Sequence, residues 1–141
     1  MNLPIESFVG EYRWLSNFYP ARVEFEGAVY SCAENAYQAA KFPPHQRIDF
    51  LQCHPAAAKK MGRGAKIAAE DWNARRLGIM RVLLAEKFKP GSALALKLLA
   101  TGDALLIEGN HWGDTFWGVC NGRGENHLGK LLMERRGELR R

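Results

Sequence analysis

Glu34, Tyr37, Gln38 and Lys41 stand at i, i+3, i+4 and i+7 in the run Ser31-Cys32-Ala33-Glu34-Asn35-Ala36-Tyr37-Gln38-Ala39-Ala40-Lys41-Phe42. On a helix those positions share one face. The face then carries an acid, a phenol, an amide and an amine, which together can move protons and attack an electrophilic carbon. Glu34 is a candidate general acid or base. Its structural alternative is the capping-box partner of Ser31, and one carboxylate can serve both ends. Lys41 falls in the last turn, where a lysine is ordinarily a solvated cation favoured by the helix dipole. Tyr37 and Phe42 could desolvate it, and burial lowers a lysine pKa. A lysine neutral near pH 7 can attack a carbonyl or imine carbon and form a Schiff base. Tyr37 and Gln38 are less telling. Packing accounts for the ring, and the amide could orient a substrate hydroxyl or satisfy the backbone.

A second group follows the apolar stretch Leu105-Leu106-Ile107. His111-Trp112-Gly113-Asp114 would lie at the end of a buried strand, where a rigid scaffold presents reactive groups on a loop. Asp114 could hold ribose hydroxyls or act as a base. Equally, an aspartate beside glycine closes an Asx-turn. Trp112 and Trp117 could stack on a base or pack in a core. Gly122-Arg123-Gly124-Glu125-Asn126 opens the last helical segment. Free N–H groups at a helix start, with Arg123, make a phosphate seat. The spacing is neither that of a P-loop nor of a dinucleotide fingerprint, and Asn126 also suits an N-cap. His45, His54 and His127 show no zinc-ligand spacing with the cysteines, and no Gly-x-Ser-x-Gly elbow occurs. No metal or cofactor is expected.

The elements that must position these groups follow from punctuation and periodicity. Val23-Glu24-Phe25 and Val29-Tyr30 flank a Glu26-Gly27 turn and predict a hairpin. Residues 14–20, Trp-Leu-Ser-Asn-Phe-Tyr-Pro, are too aromatic for an idle loop and too rich in Ser, Asn and Pro for a helix. A capping box at Ser31 and Glu34 opens the first helix, and Pro43-Pro44 ends it. Helices are expected over about 45–52 and over 56–61, the latter opened by Pro55 and closed by Gly62. Residues 63–66 read as a flexible basic loop. The longest helix is expected over 72–88, capped by Asp71, and a further one to residue 100 from Ser92, with Gly102 as its stop. Residues 104–108 read as a buried strand and 126–134 or beyond as a final helix. The order is β-β-α-α-α-α-α-β-α. It predicts an α+β, mostly helical single domain over 1–141, packed around a small, largely antiparallel sheet rather than a doubly wound one.

With 141 residues, 47% hydrophobic and 25% charged, the chain can build one real core. No apolar run approaches the ~20 residues that span a bilayer, and no secretory signal is visible. Cys32, Cys53 and Cys120 form an odd set without metal spacing, which favours reduced thiols in a cytoplasm. The net charge of +5 suits an anionic partner, a phosphorylated small molecule or a nucleic acid. Part of the excess, Arg135, Arg136, Arg140 and Arg141, reads as a solvated helix end.

Taken in order, these motifs resemble the NADAR, or YbiA-like, family. The matching residues are Trp14-Leu15-Ser16-Asn17-Phe18-Tyr19-Pro20, Phe25-Glu26-Gly27, Tyr30-Ser31-x-x-Glu34-x-x-Tyr37-Gln38-Ala39-x-Lys41-Phe42, Trp72, Met80 and Lys87-Phe88. Leu99-x-Thr101-Gly102, Leu106-x-Glu108, Trp112-Gly113-Asp114, Trp117-Gly118 and Gly124-Glu125-Asn126-x-Leu128-Gly129-x-Leu131-Leu132-Met133-x-x-Arg135 continue it. The resemblance implies an N-glycosidase that cleaves the bond between ribose C1 and an exocyclic amine. The substrate is either ADP-ribosylated guanine in DNA or RNA, or a ribosylamino-pyrimidine phosphate of riboflavin biosynthesis. It maps functional positions onto Glu34, Lys41, Trp72, Trp112 and Asp114. The expected catalytic set is therefore Glu34, Lys41 and Asp114. The expected substrate-binding set is Asn17, Tyr37, Gln38, Trp72, Trp112, Arg123, Gly124 and Asn126. Asn35 departs from the histidine expected in many relatives, and the stretch 43–47 is short. The competing class is a non-catalytic ADP-ribose or nucleic-acid reader. Neither a membrane partner nor a particular oligomeric state is implied.

Overall fold

The structure, a computed structural model, describes residues 2–141. The chain divides into two compact units: Asn17–Lys87, and the residues before Asn17 together with Phe88–Arg141.

In the first unit, β1 (Val23–Phe25) and β2 (Ala28–Tyr30) form the expected antiparallel hairpin, with Val23 opposite Tyr30 and Phe25 opposite Ala28. Glu26 and Gly27 both take positive φ, 47° and 85°, as a two-residue turn matching the strand twist requires. Val23, Phe25 and Tyr30 face inward and Glu24 outward, the alternation of a half-buried sheet. Three helices complete the unit: α1 (Ala33–Ala39), α2 (Pro55–Gly62) and α3 (Ala69–Lys87). Every residue of α1 is buried. Its alanines let it pack closely against α2, α3 and the hairpin. The helix expected over 45–52 is instead two short 3₁₀ turns, Pro44–Gln46 and Ile48–Phe50, meeting at Arg47. Arg47 is held there by its guanidinium, which donates to the Phe42 carbonyl (2.8 Å) and to Glu26 (2.7 Å). Pro55 opens α2 as expected, with His54 Nδ1 accepting the Ala56 N–H. α3 begins before Asp71, so Glu70 and Asp71 lie in its first turn, where the dipole favours acids.

In the second unit, a 3₁₀ helix over Gly10–Leu15 buries Trp14 and Leu15, so the aromatic segment begins helical after all. Trp14 meets Phe88 edge-on at 6.3 Å. Ser92 caps α4 (Ala93–Ala100) by accepting the Ala95 N–H at 3.1 Å, and Gly102 follows at φ 62°. The strand expected over 104–108 reduces to one parallel bridge between Ile5 and Leu106. Leu106 is fully buried while Leu105 is 55% exposed, so the segment is extended but one-sided. The strands of this unit are β3 (Gly109–Asn110) and β4 (Val119–Cys120), a two-residue parallel pair. α5 (His127–Leu139) ends the fold. Its arginines are not a solvated run. Arg136 is buried and donates to Thr101 Oγ1 and the Ala104 carbonyl, both at 2.9 Å. Arg135 donates to the Phe88 carbonyl, and Arg140 binds Asp103 and the Gly102 carbonyl. The result is an α+β fold in which helices predominate and the sheet content is small. Among the described residues no helix is long and apolar enough to cross a membrane.

Candidate active site

The polar face of α1 is built by an apolar constraint. The helix is buried because Ala33, Ala36, Ala39 and Ala40 make it thin, and burial carries its polar side chains inside with it. Ser31 and Glu34 do not form a capping box. Cys32 is the N-cap and makes no side-chain cap bond. Ser31 Oγ accepts instead from Asn35 Nδ2 (3.2 Å), which also donates to the Cys53 carbonyl (2.8 Å). The Glu34 N–H is satisfied by the Asn17 carbonyl at 3.0 Å. Relieved of capping, the Glu34 carboxylate accepts from Gln38 Nε2 at 2.6 Å and lies only 9% exposed. The other atom of that amide, Gln38 Oε1, is buried with no hydrogen-bond partner among the described residues, as is Asn17 Oδ1. Gly62 lies against Gln38: a Cβ there would sit 1.8 Å from Oε1.

Lys41 lies two residues beyond α1, which ends at Ala39 rather than running on to Pro43, and its N–H is bonded to the Gln38 carbonyl at 3.1 Å. Its Nζ lies 5.6 Å from the Tyr37 ring centre and 5.5 Å from that of Trp72. The two rings are themselves 5.1 Å apart. Burial holds the amine below the usual lysine range. Glu34 opposes that shift and Arg76 reinforces it. Lys41 also forms part of the wall of a cavity of about 540 Å³, with Ala40, Phe42, Pro43, Gln46, Arg47, Gly64, Lys66, Ile67 and Arg75 completing the lining. Behind a half-buried amine that reaches this cavity, therefore, stand a buried carboxylate and an amide. Such a set can deliver a nucleophile and shuttle its protons.

The expected residues divide between the two units. Asn17, Glu34, Tyr37, Gln38, Lys41 and Trp72 belong to the first, and Trp112, Asp114, Arg123, Gly124 and Asn126 to the second. In the second, Asp114 Oδ1 accepts the N–H groups of Phe116 (3.1 Å) and Trp117 (2.9 Å), which is the Asx-turn arrangement. Asn110 clamps the same residue by accepting the Asp114 N–H (3.0 Å) and donating to its carbonyl (2.9 Å). Trp112 is 54% exposed and meets His111 edge-on. Asn126 occupies the N-cap position of α5 but makes no side-chain cap bond. Its side chain accepts the Glu108 N–H (2.9 Å) and donates to the Leu106 carbonyl (3.0 Å). The N–H groups expected to be free for phosphate at the start of α5 are spent. Those of Glu125, Asn126, His127 and Leu128 donate to the carbonyls of Thr115, Gly118, Phe116 and Trp117. Gly124 is closed in against the Gly118 carbonyl, 2.1 Å from where a Cβ would stand.

Sequence reasoning passed over Gly62, Arg75 and Arg76. The two arginines were within reach of it, since they stand three and four residues after Trp72 on a helix. Gly62 was not, because only its approach to Gln38 reveals its use.

An alanine-rich buried helix carrying a carboxylate and an amide, with a half-buried lysine and a cavity just beyond its end, sets the frame of a small, mostly helical α+β protein. The chain belongs to the NADAR family: the NADAR domain model matches residues 7–140. It is 34% identical over 133 residues to the N-glycosidase YbiA of Shigella flexneri, covering 92% of this chain and 82% of that protein. A riboflavin biosynthesis protein of Vibrio vulnificus is 37% identical over 134 residues, 89% of this chain. The match is 35% of that relative, so the chain spans about a third of its length. The solution structure of Escherichia coli YbiA matches with a TM-score of 0.82 and 32% identity, over 98% of this chain and 84% of that one.

Proposed function

We propose that this chain is an N-glycosidase, a hydrolase of the bond between ribose C1 and an exocyclic amine, with Lys41 as nucleophile and Glu34 as acid–base. The observation that carries the reading is Lys41 itself, an amine desolvated between two rings, coupled to a buried carboxylate and opening to a cavity. A sugar bearing an amine at C1 can open to an imine. Neutral Lys41 Nζ adds to that carbon, the exocyclic amine takes up a proton and leaves, and a lysine imine remains. Water then adds to the imine, releasing the sugar as its aldehyde and restoring the amine. Glu34 carries the protons between these steps, and Gln38, bonded to Glu34, holds the carboxylate in place. Positioned acid–base groups of this kind contribute ~10²–10⁴-fold in rate.

Two substrate classes suit this chemistry: a ribosylamino-pyrimidine phosphate and an ADP-ribosylated guanine in nucleic acid. The name of the Vibrio relative supports the first, and the basic surface around residues 63–66 suits the second. Free Cys32, Cys53 and Cys120 are compatible with a reducing cytoplasm. Each substrate is incubated with the protein in the presence of borohydride, and the product and any adduct are mapped. Release of the sugar from one substrate, with a reduced sugar adduct on Lys41, is the expected result. Tight binding of either without product or adduct would identify a reader instead.

A further inference from the structure

The cavity at the end of α1 is lined by Lys41, Arg47, Lys66 and Arg75 and by no carboxylate. Its volume, about 540 Å³, lies within the range of small-molecule sites. Its cations are not equivalent. Arg47 is buried and committed to the Phe42 carbonyl and Glu26, so it braces the wall. Lys41 is the amine of the proposed chemistry. Lys66 and Arg75 are exposed, and their side chains make no ion pair or hydrogen bond among the described residues. Two uncompensated cations at one concavity focus an attractive potential for an anion. Arginine adds a planar fork that matches phosphate oxygens two at a time. The loop at Gly122–Asn126 offers no comparable seat, because the N–H groups of Glu125, Asn126, His127 and Leu128 are already taken by carbonyls.

We infer that this cavity is a phosphate subsite, in which Arg75 and Lys66 hold the phosphate oxygens of the phosphorylated sugar whose C1 is presented to Lys41. The identity of the sugar rests on the N-glycosidase reading; the preference for an anion does not. The shared ligand chemistry is a phosphate ester on ribose, supplied either by a ribosyl monophosphate or by the pyrophosphate of ADP-ribose. Gln46 lies within the lining to add an amide, and Phe42, Pro43 and Ile67 shed water around the charges.

Calorimetric titration of ribose 5-phosphate, ADP-ribose and unphosphorylated ribose tests the inference. The proteins are the wild type, Lys66→Gln, Arg75→Gln and the double variant. Both positions are exposed, so the melting temperature should stay at the wild-type value. Each single variant should lose about ten-fold in affinity for a phosphorylated ligand and the double variant more, as expected for lost charge-assisted hydrogen bonds, with ribose unaffected. A loss on ribose 5-phosphate assigns the monoester, and a loss confined to ADP-ribose assigns the pyrophosphate; either upholds the subsite. Absence of binding by the wild type, or wild-type affinity for both ligands in the double variant, overturns it. The borohydride adduct separates this outcome from the glycosidase reading. Phosphate binding that depends on Arg75 and Lys66 without any adduct on Lys41 would leave the subsite standing and remove the glycosidase. An adduct formed at wild-type ligand concentrations by the double variant would do the reverse.

Discussion

Glu34 and Asp114 are both half- to fully buried carboxylates of this chain, and they are spent differently. Asp114 Oδ1 accepts two backbone N–H groups, from Phe116 and Trp117, and so holds a loop in shape. Glu34 Oε2 accepts from a side chain, Gln38, whose own carbonyl oxygen has no hydrogen-bond partner among the described residues. A carboxylate bonded to backbone is part of the scaffold, since removing it leaves main-chain donors unmet. A carboxylate bonded to a side-chain amide can change partners and protonation without unfolding a loop. The acid chemistry of this protein is therefore expected on α1, while the Asp114 loop has first claim as architecture.

The largest effect should come from Glu34→Gln. Turnover should fall ~10²–10⁴-fold with product binding and melting temperature little changed. A variant that hydrolyses substrate at the wild-type rate would break the contrast at once. Asp114→Ala should do the opposite. Losing two charge-assisted bonds to backbone N–H groups should cost about 1–3 kcal/mol of stability by urea unfolding. Asp114→Asn, which keeps an oxygen for both N–H groups, should recover most of it. If Asp114→Asn is instead as stable as wild type yet as inactive as Glu34→Gln, its second carboxylate oxygen has a chemical task and the division between scaffold and chemistry fails.

Some of this was legible in the residues and some was not, for physical reasons. The hairpin was, because Glu26-Gly27 between alternating apolar positions leaves a two-residue turn little choice. So was part of the α1 face, since helical spacing aligns Glu34 and Gln38, whereas Lys41 lies past the helix end at Ala39. The capping box was not, because Asn35 competes for Ser31 and prevails by also reaching the Cys53 carbonyl. The strand at 104–108 was over-read because its apolar run depends on a distant partner, Ile5, that supplies one bridge only. The N–H groups counted on for a phosphate seat at Gly122–Asn126 are taken from residue 125 onward; side-chain type cannot reveal which N–H groups a neighbouring loop already uses. The cavity was out of reach for a related reason: Lys41, Gln46, Lys66 and Arg75 come from separate segments, joined only by the fold.

Lys87 sharpens the comparison with the smallest effect, because it is a second buried amine with no place in the cavity lining. It is 3% exposed, its Nζ lies 5.9 Å from the Tyr19 ring, and burial brings its pKa down to about 7, with Cys32 opposing. The unfolded lysine keeps its proton to about pH 10.4. Above pH 7 the unfolded chain therefore binds more protons at this residue, and stability rises with pH by up to about 1.4 kcal/mol per unit. Burial raises the Cys32 thiol and the Tyr30 phenol from 9.0 and 10.0, so their unfolded forms ionise first and stability falls above those values. The rise should accordingly be confined to about pH 7–9. Urea unfolding across that window should show it in the wild type and a shallower rise in Lys87→Met, with the lowered pKa of Lys41 contributing the remainder. In borohydride trapping the same variant should retain its adduct, whereas Lys41→Met should lose it. Loss of the adduct in Lys87→Met, with the fold intact, would mean that a lowered lysine pKa rather than access to the cavity selects the nucleophile.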